Sequence, residues 1–182
     1  MANLSTGNAG SSYFDLAGRG QVFSAQAAIT APVIYSTAAG TGGPLLWNGT
    51  NNVRAIILGV TCALTVVTTV AAALGLTGNS GQTAAPGTTT PIGTVANMLI
   101  GAGPPKCTVY SVGTVTNAGN FFLPLMGLGT GPLTVSDQQL GFIDLAGLVV
   151  VPPNCWVAIA ASATASTTVA QIGLIWAEQV LL

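Results

Sequence analysis

The carboxylates are the first candidates for acid–base chemistry, because the chain has no histidine. There are four of them: Asp15, Asp137, Asp144 and Glu178. Asp137 and Asp144 are the closest in sequence, so they are the best candidates for a pair that assembles in space. Two carboxylates flanking a glycosidic bond are the arrangement that most glycoside hydrolases use.

A sugar-cleaving site would also need aromatic platforms. Trp47, Trp156 and Trp176 could supply them, but aromatic residues in strands more often belong to a core. We therefore predict that the chain is not an enzyme and has no catalytic, cofactor-binding or metal-binding residue. Substituting Asp137 and Asp144 should leave glycan binding unchanged.

The three cysteines, Cys62, Cys107 and Cys155, lie tens of residues apart. This spacing matches no metal-binding or redox motif. A catalytic thiol needs a base beside it, usually histidine, and the chain has none. The cysteines are therefore expected to be reduced and to serve as small buried apolar residues.

Charged residues make up only 4% of the 182 residues, and the formal net charge is −1. Soluble domains average about 25% charged residues. The three cations, Arg19, Arg54 and Lys106, are too few to neutralise many phosphates, so nucleic-acid binding is not expected. With 50% apolar residues, disorder is also excluded. A protein surface with so few charges gives little electrostatic repulsion between copies of the chain. We therefore infer that other chains cover much of this surface.

A membrane span is the alternative raised by residues 55–76, which are uncharged over 22 positions. About 18 apolar residues suffice for a spanning helix. Val, Ile and Thr, however, make up more than half of residues 53–70, and they favour strands. No signal peptide is expected at the start of the chain, because residues 1–18 contain neither a cation nor a long apolar run.

The elements that would position these side chains are short strands. Gly- and Pro-rich turns separate about eight to ten of them at spacings of roughly 8–12 residues, as in an antiparallel sandwich or barrel. The clearest strand is predicted over Val169–Val180. Its apolar face consists of Ala170, Ile172, Leu174 and Trp176.

We predict an irregular N-terminal arm over residues 1–18 and a single β-sandwich domain over residues 19–182. Residues 48–52 (N-G-T-N-N) have the composition of a hairpin turn. Residues 77–91 are expected to form a connecting loop, and residues 134–140 a short helix.

Two stretches resemble small β-sandwich proteins of tailed-phage particles. Residues 45–50 (L-L-W-N-G-T), which continue into V-R-A-I-I-L-G-V, are similar to the opening strands of these proteins. Residues 149–159 (V-V-V-P-P-N-C-W-V-A-I), followed by I-G-L-I-W-A-E, are similar to the closing strands. The resemblance covers about half of the chain.

The resemblance implies a jelly-roll-like sandwich and a virion structural protein of the decoration, cement, head-fibre or minor capsid type. It implies a homo-oligomer, commonly a trimer, that binds the major capsid protein or other virion proteins. The protein would be made in the host cytoplasm and located in the phage particle, without membrane or nucleic-acid contacts. The alternatives are an integral membrane protein spanning at residues 55–76 and a carbohydrate-binding β-sandwich.

Overall fold

Two antiparallel sheets form the body of the protein in the computed structural model. The structure describes residues 9–30, 44–66, 72–82, 84–92, 95–115, 117–128, 140–162 and 169–181. The elements are α1 (Ala9–Gly18), β1 (Val22–Thr30), β2 (Leu45–Asn48), β3 (Val53–Val66), β4 (Ala72–Asn79), β5 (Gly87–Pro91), β6 (Val95–Asn97), β7 (Thr108–Thr114), β8 (Asn120–Leu128), β9 (Leu140–Val151), β10 (Cys155–Ala161) and β11 (Val169–Val180).

The order of the strands is that of a jelly roll. The five-stranded sheet runs β6-β1-β11-β3-β9, and the six-stranded sheet runs β5-β7-β2-β10-β4-β8. Eight strands form the frame, with β1-β11-β3-β9 in one sheet and β2-β10-β4-β8 in the other, as when a long hairpin wraps into two Greek keys. The predicted all-β, antiparallel, jelly-roll-like sandwich is confirmed.

The remaining three strands are an insertion between β4 and β8. Strand β6 extends the first sheet beside β1, and β7 with β5 extends the second sheet beside β2. The insertion therefore widens one side of the sandwich. On the other side, β8 and β9 remain as edge strands of the frame.

The core lies between the two sheets. The predicted apolar face of β11 is buried as expected, and its four residues are at most 1% exposed. Side chains from β4 and β10 in the opposite sheet, including Leu74, Leu76, Val157 and Ile159, belong to the same buried cluster. Alternation of inward and outward residues along the strands therefore determines which residues form the core.

The N-terminal arm differs from its prediction. Residues 1–8 lie outside the described residues, and α1 (Ala9–Gly18) is a helix rather than an irregular segment. Tyr13, Leu16 and Ala17 pack against a cluster on the outer face of the first sheet. Packing of this face stabilises the helix despite its Gly- and Ser-containing sequence, because tertiary contacts outweigh intrinsic propensity.

The turn at residues 48–52 is not a hairpin. Strands β2 and β3 lie in different sheets, so this turn carries the chain across the sandwich. Asn48 is fully buried there, and its Nδ2 donates to the carbonyls of Val53 (2.8 Å) and Val151 (3.0 Å). Its Oδ1 accepts hydrogen bonds from the backbone N and the hydroxyl of Thr50. One side chain thus bonds to backbone carbonyls of β3 and β9 at this corner.

The stretch considered as a membrane span is extended wherever the structure describes it. Residues 55–66 belong to β3 and residues 72–76 to β4. Among the described residues, no helix is both long and apolar enough to cross a membrane. The predicted loop at residues 77–91 is partly wrong, since β4 reaches Asn79 and β5 occupies Gly87–Pro91. Most of the short helix predicted over residues 134–140 lies outside the described residues, and Leu140 begins β9.

Candidate functional site

Each of the three described carboxylates has a hydrogen-bond or ion-pair partner. Asp15 makes an ion pair with Arg19 (2.9 Å) on the exposed surface of α1. Asp137 lies outside the described residues, so the proposed pairing with Asp144 has no observed geometry. Asp144 and Glu178 are each engaged in hydrogen bonds of their own.

Glu178 is buried and holds the connection before β7 against the end of β11. Its Oε2 accepts from the backbone N of Lys106 (2.8 Å), and its Oε1 accepts from the backbone N of Cys107 (2.9 Å). The indole N–H of Trp176 also donates to Oε1 (3.3 Å). Because backbone and indole donors occupy both oxygens, this carboxylate is a structural acceptor rather than a free base.

Asp144 links α1 to the edge strand β9. The Tyr13 hydroxyl donates to Asp144 Oδ1 (2.6 Å), which also accepts from the backbone N of Ala146 (2.8 Å). Burial and the bond to Asp144 raise the pKa of Tyr13 to about 12. The bonds from Tyr13 and from the Ala146 amide lower the pKa of Asp144 below its ordinary value. The pair therefore fixes the helix over the sheet.

The cysteines are free thiols whose pKa values are raised by burial. All three are free thiols, with Cys62 and Cys107 buried and Cys155 half-buried. Burial raises the pKa of Cys62 to about 11. Burial and then the neighbouring Glu178 carboxylate raise the pKa of Cys107. Raised pKa values disfavour the thiolate, the reactive form. No group of three metal-ligating side chains occurs among the described residues.

The tryptophans pack into apolar clusters, two of them fully buried and Trp47 half-buried. Trp176 lies in the main core and Trp156 is buried. Trp47 pairs directly across from Trp156 on β2 and β10, where both contribute to a second apolar cluster with Leu45 and Tyr110.

A groove of about 540 Å³ lies on the outer face of the first sheet. Gln26, Thr61, Phe142 and Gln171 are among the residues that line it. Gly173 pairs with both Gln26 and Thr61 in the sheet, and a Cβ atom there would clash with the Thr61 hydroxyl oxygen. The groove thus combines an exposed aromatic ring with amide and hydroxyl groups.

The side of the sandwich formed by β8 and β9 exposes a second apolar surface. Phe121 and Phe122 on β8, and Phe142, Leu148 and Val150 on β9, are all exposed. Phe122, Val150, Cys155 and Val157 are among the residues that line a groove of about 220 Å³ between the two sheets. We refer to this feature as the edge groove.

The opposite side of the molecule carries an apolar turn, residues 98–100, directly after β6. Met98, Leu99 and Ile100 are consecutive and exposed, and Ile100 is 97% exposed. Together, this turn and the two edge strands hold eight of the eleven exposed large apolar side chains of the described residues. Exposed apolar side chains that are concentrated in this way indicate an interaction surface, whereas single apolar residues scattered over a surface do not.

These surfaces were not predicted from the sequence. One signal was available, because residues 148–151 (L-V-V-V) are apolar on both faces of a strand that lies at a sheet edge. The residues M-L-I before Gly101 are a second signal, since apolar residues are unusual in an exposed turn. Comparison with known proteins gives no relative: no protein-family model, curated protein or solved structure matches the chain.

Proposed function

We propose that this chain is a virion structural protein, a capsid decoration or cement protein that binds and stabilises a phage head as an oligomer. The observation that carries the proposal is a jelly-roll frame whose exposed edge strands are apolar and almost uncharged. Jelly rolls recur in viral capsid and lectin domains. Fold alone does not determine function, so the surface chemistry has to support the choice.

The surface supports assembly more than catalysis. The described carboxylates are occupied by structural partners, burial raises the pKa of all three thiols, and charged residues make up 4% of the chain. Permanent interfaces are larger and more apolar than transient ones. A protein that joins capsid subunits through matched uncharged surfaces needs these properties and no catalytic group.

The length of the edge strands also supports the proposal. Strand β9 has 12 residues and β8 has 9, and each lies at the edge of its sheet. An apolar exposed edge promotes uncontrolled pairing in a free protein. The opposite edges end in β5 and β6, which have only 5 and 3 residues. Contacts with other subunits would cover the long pair in an assembled particle.

The test is to purify particles by density gradient from cells that make the chain and to quantify the proteins by mass spectrometry. We expect the chain to sediment with the particles at a fixed ratio to the major capsid protein. Particles assembled without it should release their genome at a lower temperature, and adding the purified chain should restore the release temperature. Recovery of the chain only outside the particle fractions would contradict the proposal.

A carbohydrate-binding function is the second candidate, favoured by the groove on the outer face of the first sheet. Phe142 is exposed there beside Gln26 and Gln171, and a sugar ring can stack on an aromatic ring while amides bond its hydroxyls. A glycan array with the wild-type chain and Phe142→Ala distinguishes the two functions. Binding that is lost in the variant favours the carbohydrate function, and no binding by either protein excludes it.

A further inference from the structure

We propose that the apolar turn of one copy docks into the edge groove of a second copy, so that copies associate head to tail. This inference deepens the proposed function, because it names the surfaces through which the oligomer forms. The turn is residues 98–100, and the edge groove is the cleft between the sheets at β8 and β9.

The apolar turn is held in a fixed shape by backbone hydrogen bonds. Met98 N donates to the Val22 carbonyl (2.9 Å), and Ala102 N donates to the Leu99 carbonyl (3.0 Å). The side chain of Asn97 braces the turn, because its Nδ2 donates to two carbonyls and its Oδ1 accepts from Leu99 N. An apolar group displayed on a preorganised turn loses little conformational entropy when it binds.

The edge groove has the size and chemistry to receive one such side chain. Exposed Phe122 and Val150 form its rim, while buried Val151, Trp156 and Val157 lie deeper. Its volume is about 220 Å³. An apolar cavity of about 150 Å³ accommodates a benzene-sized group, so the edge groove is large enough for an isoleucine or leucine side chain.

The apolar turn and the edge groove lie at opposite edges of the five-stranded sheet, beside β6 and β9 respectively. One row of paired residues crosses all five strands of this sheet: Asn97, Phe23, Trp176, Ile57 and Val149. With strands about 4.8 Å apart, the ends of the row are about 19 Å apart. The turn therefore cannot reach the edge groove of its own chain.

The turn and the groove also lie at the same level along the strands. Met98 follows Asn97 and bonds to Val22, whose row continues through Ala177 and Ile56 to Val150. A neighbouring copy placed beside the first, with its strands in the same direction, brings its turn to the height of the groove. The occupant that fits this geometry is a second copy of the chain.

The charges favour this arrangement. Neither the residues of the apolar turn nor the described lining of the edge groove includes a charged side chain. Lys106 is exposed on the connection that carries the turn, and Asp144 is exposed on the strand that carries Val150. Head-to-tail contact places a cation on one of the two surfaces and a carboxylate on the other, whereas contact between two identical edges places the same carboxylate on both.

An interface between two different surfaces has a consequence for assembly. It repeats from copy to copy, and it gives a ring where the rotation between copies closes and a filament where it does not. A closed ring leaves no turn and no groove unoccupied. In a small cyclic oligomer, such as a trimer, every apolar turn is therefore bound in the edge groove of a neighbouring copy.

The test uses two variants that each destroy one surface. Ile100→Asp places a charge on the apolar turn and leaves the edge groove unchanged. Val150→Asp places a charge at the rim of the edge groove and leaves the apolar turn unchanged. Phe14→Asp is the matched control, because Phe14 is 81% exposed on α1 and belongs to neither surface. Circular dichroism and melting temperature establish that each variant folds, and Phe122→Ser replaces Val150→Asp if that variant does not.

Sedimentation velocity of each protein gives the expected pattern. The wild type and Phe14→Asp should form the same oligomer, and each interface variant alone should associate roughly 30-fold or more weakly, as when a hot-spot side chain is removed. An equal mixture of Ile100→Asp and Val150→Asp should form a species of twice the 18.0 kDa chain mass, because one intact turn meets one intact groove.

Three outcomes would contradict the inference, and they are distinguishable. A wild type that stays monomeric at high concentration overturns both this inference and the oligomer of the proposed function. A wild-type oligomer that both variants leave unchanged overturns the inference and leaves the proposed function intact. If each variant alone is monomeric and their mixture does not associate, the interface is symmetric and the head-to-tail arrangement is wrong.

Discussion

At the scale of single residues, Glu178 shows how the chain uses its few charges. Three donors surround this buried carboxylate, two of them consecutive backbone amides. Hydrogen bonds to a charged group contribute more than neutral ones, and a donor that loses its acceptor on burial is costly. Glu178 therefore joins the end of β11 to the connection that carries the apolar turn.

We expect Glu178→Gln to lower the free energy of unfolding by about 2 kcal/mol, because the new amide group faces a backbone N–H that needs an acceptor. Urea denaturation followed by tryptophan fluorescence measures this change. Asp15→Asn is the control, since its ion pair with Arg19 is exposed and should contribute at most about 0.5 kcal/mol. Equal midpoints for the two variants would show that Glu178 has no structural role.

The bond between Tyr13 and Asp144 should make the docking of α1 sensitive to pH at both extremes. The Tyr13 pKa is raised from 10.0 to about 12. Its contribution to the stability of the fold is therefore complete below pH 10 and is lost as the pH rises towards 12. The Asp144 pKa is lowered from 3.8, so its contribution is complete above that value and is lost as the pH falls through the lowered pKa.

The measurement is the melting temperature of the wild type and Tyr13→Phe as a function of pH. The wild type should melt higher between about pH 4 and pH 10, and the difference should disappear towards both extremes. Asp144→Asn keeps an acceptor oxygen, so it should lose only the acidic dependence. A difference that is constant across the pH range would show that the bond does not hold the helix.

The sequence identifies these residues but not their partners. Tyr13 and Asp144 are 131 positions apart, and Glu178 lies 72 positions from Lys106. Local patterns carry no information about such pairs, because the strand order decides which distant residues meet. The expectation that the cysteines are buried thiols is confirmed for Cys62 and Cys107, since it depends only on residue type.

At the scale of elements, the corner at Asn48 joins two sheets through one side chain. The Asn48 amide donates to the carbonyls of Val53 and Val151 and accepts from Thr50. Neither aspartate nor alanine can supply the two donors. Asparagine is therefore required here because its amide supplies two donors and an acceptor, as well as for its turn propensity.

Asn48→Asp should destabilise the fold by about 3 kcal/mol or more at neutral pH. The substitution removes the two hydrogen bonds from Nδ2 and places a negative charge beside two buried carbonyl oxygens. The control is Asn51→Asp, at an exposed position of the same turn, where a change within about 0.5 kcal/mol is expected. Thermal unfolding of both variants measures the difference, and similar losses would contradict the assigned role.

Strands with a clear alternation were predictable, while elements that depend on packing were not. The predicted strand over Val169–Val180 has the bounds of β11. Helix α1 was missed, although Tyr13, Leu16 and Ala17 have helical spacing. Its Gly and Ser residues are weak helix formers, and the sheet surface that stabilises the helix is unknown before the fold is known.

At the scale of the whole molecule, the low charge predicts how the oligomer responds to salt. Added salt screens ion pairs and leaves apolar contacts intact. The mass of the oligomer should therefore stay unchanged from low to molar sodium chloride, and sulfate should strengthen association. Sedimentation at several salt concentrations tests this expectation, and dissociation in molar sodium chloride would contradict an apolar interface.

The sandwich followed from composition and turn spacing, but its strand order did not. Alternation assigns residues to a face, and it does not determine which strands are neighbours. The insertion of β5, β6 and β7 between β4 and β8 was therefore invisible in the sequence. The candidate interface was missed for the same reason, because an apolar strand becomes an exposed edge only when the order of the sheet is known.

The insertion that carries the apolar turn lies outside the eight-strand frame. Changes in the length of residues 98–107 would alter the angle between adjacent subunits without altering any pairing among the frame strands. The number of copies that completes a circle is then determined by one surface connection. The same fold could in this way evolve, or be engineered, towards assemblies of different symmetry through a single short segment.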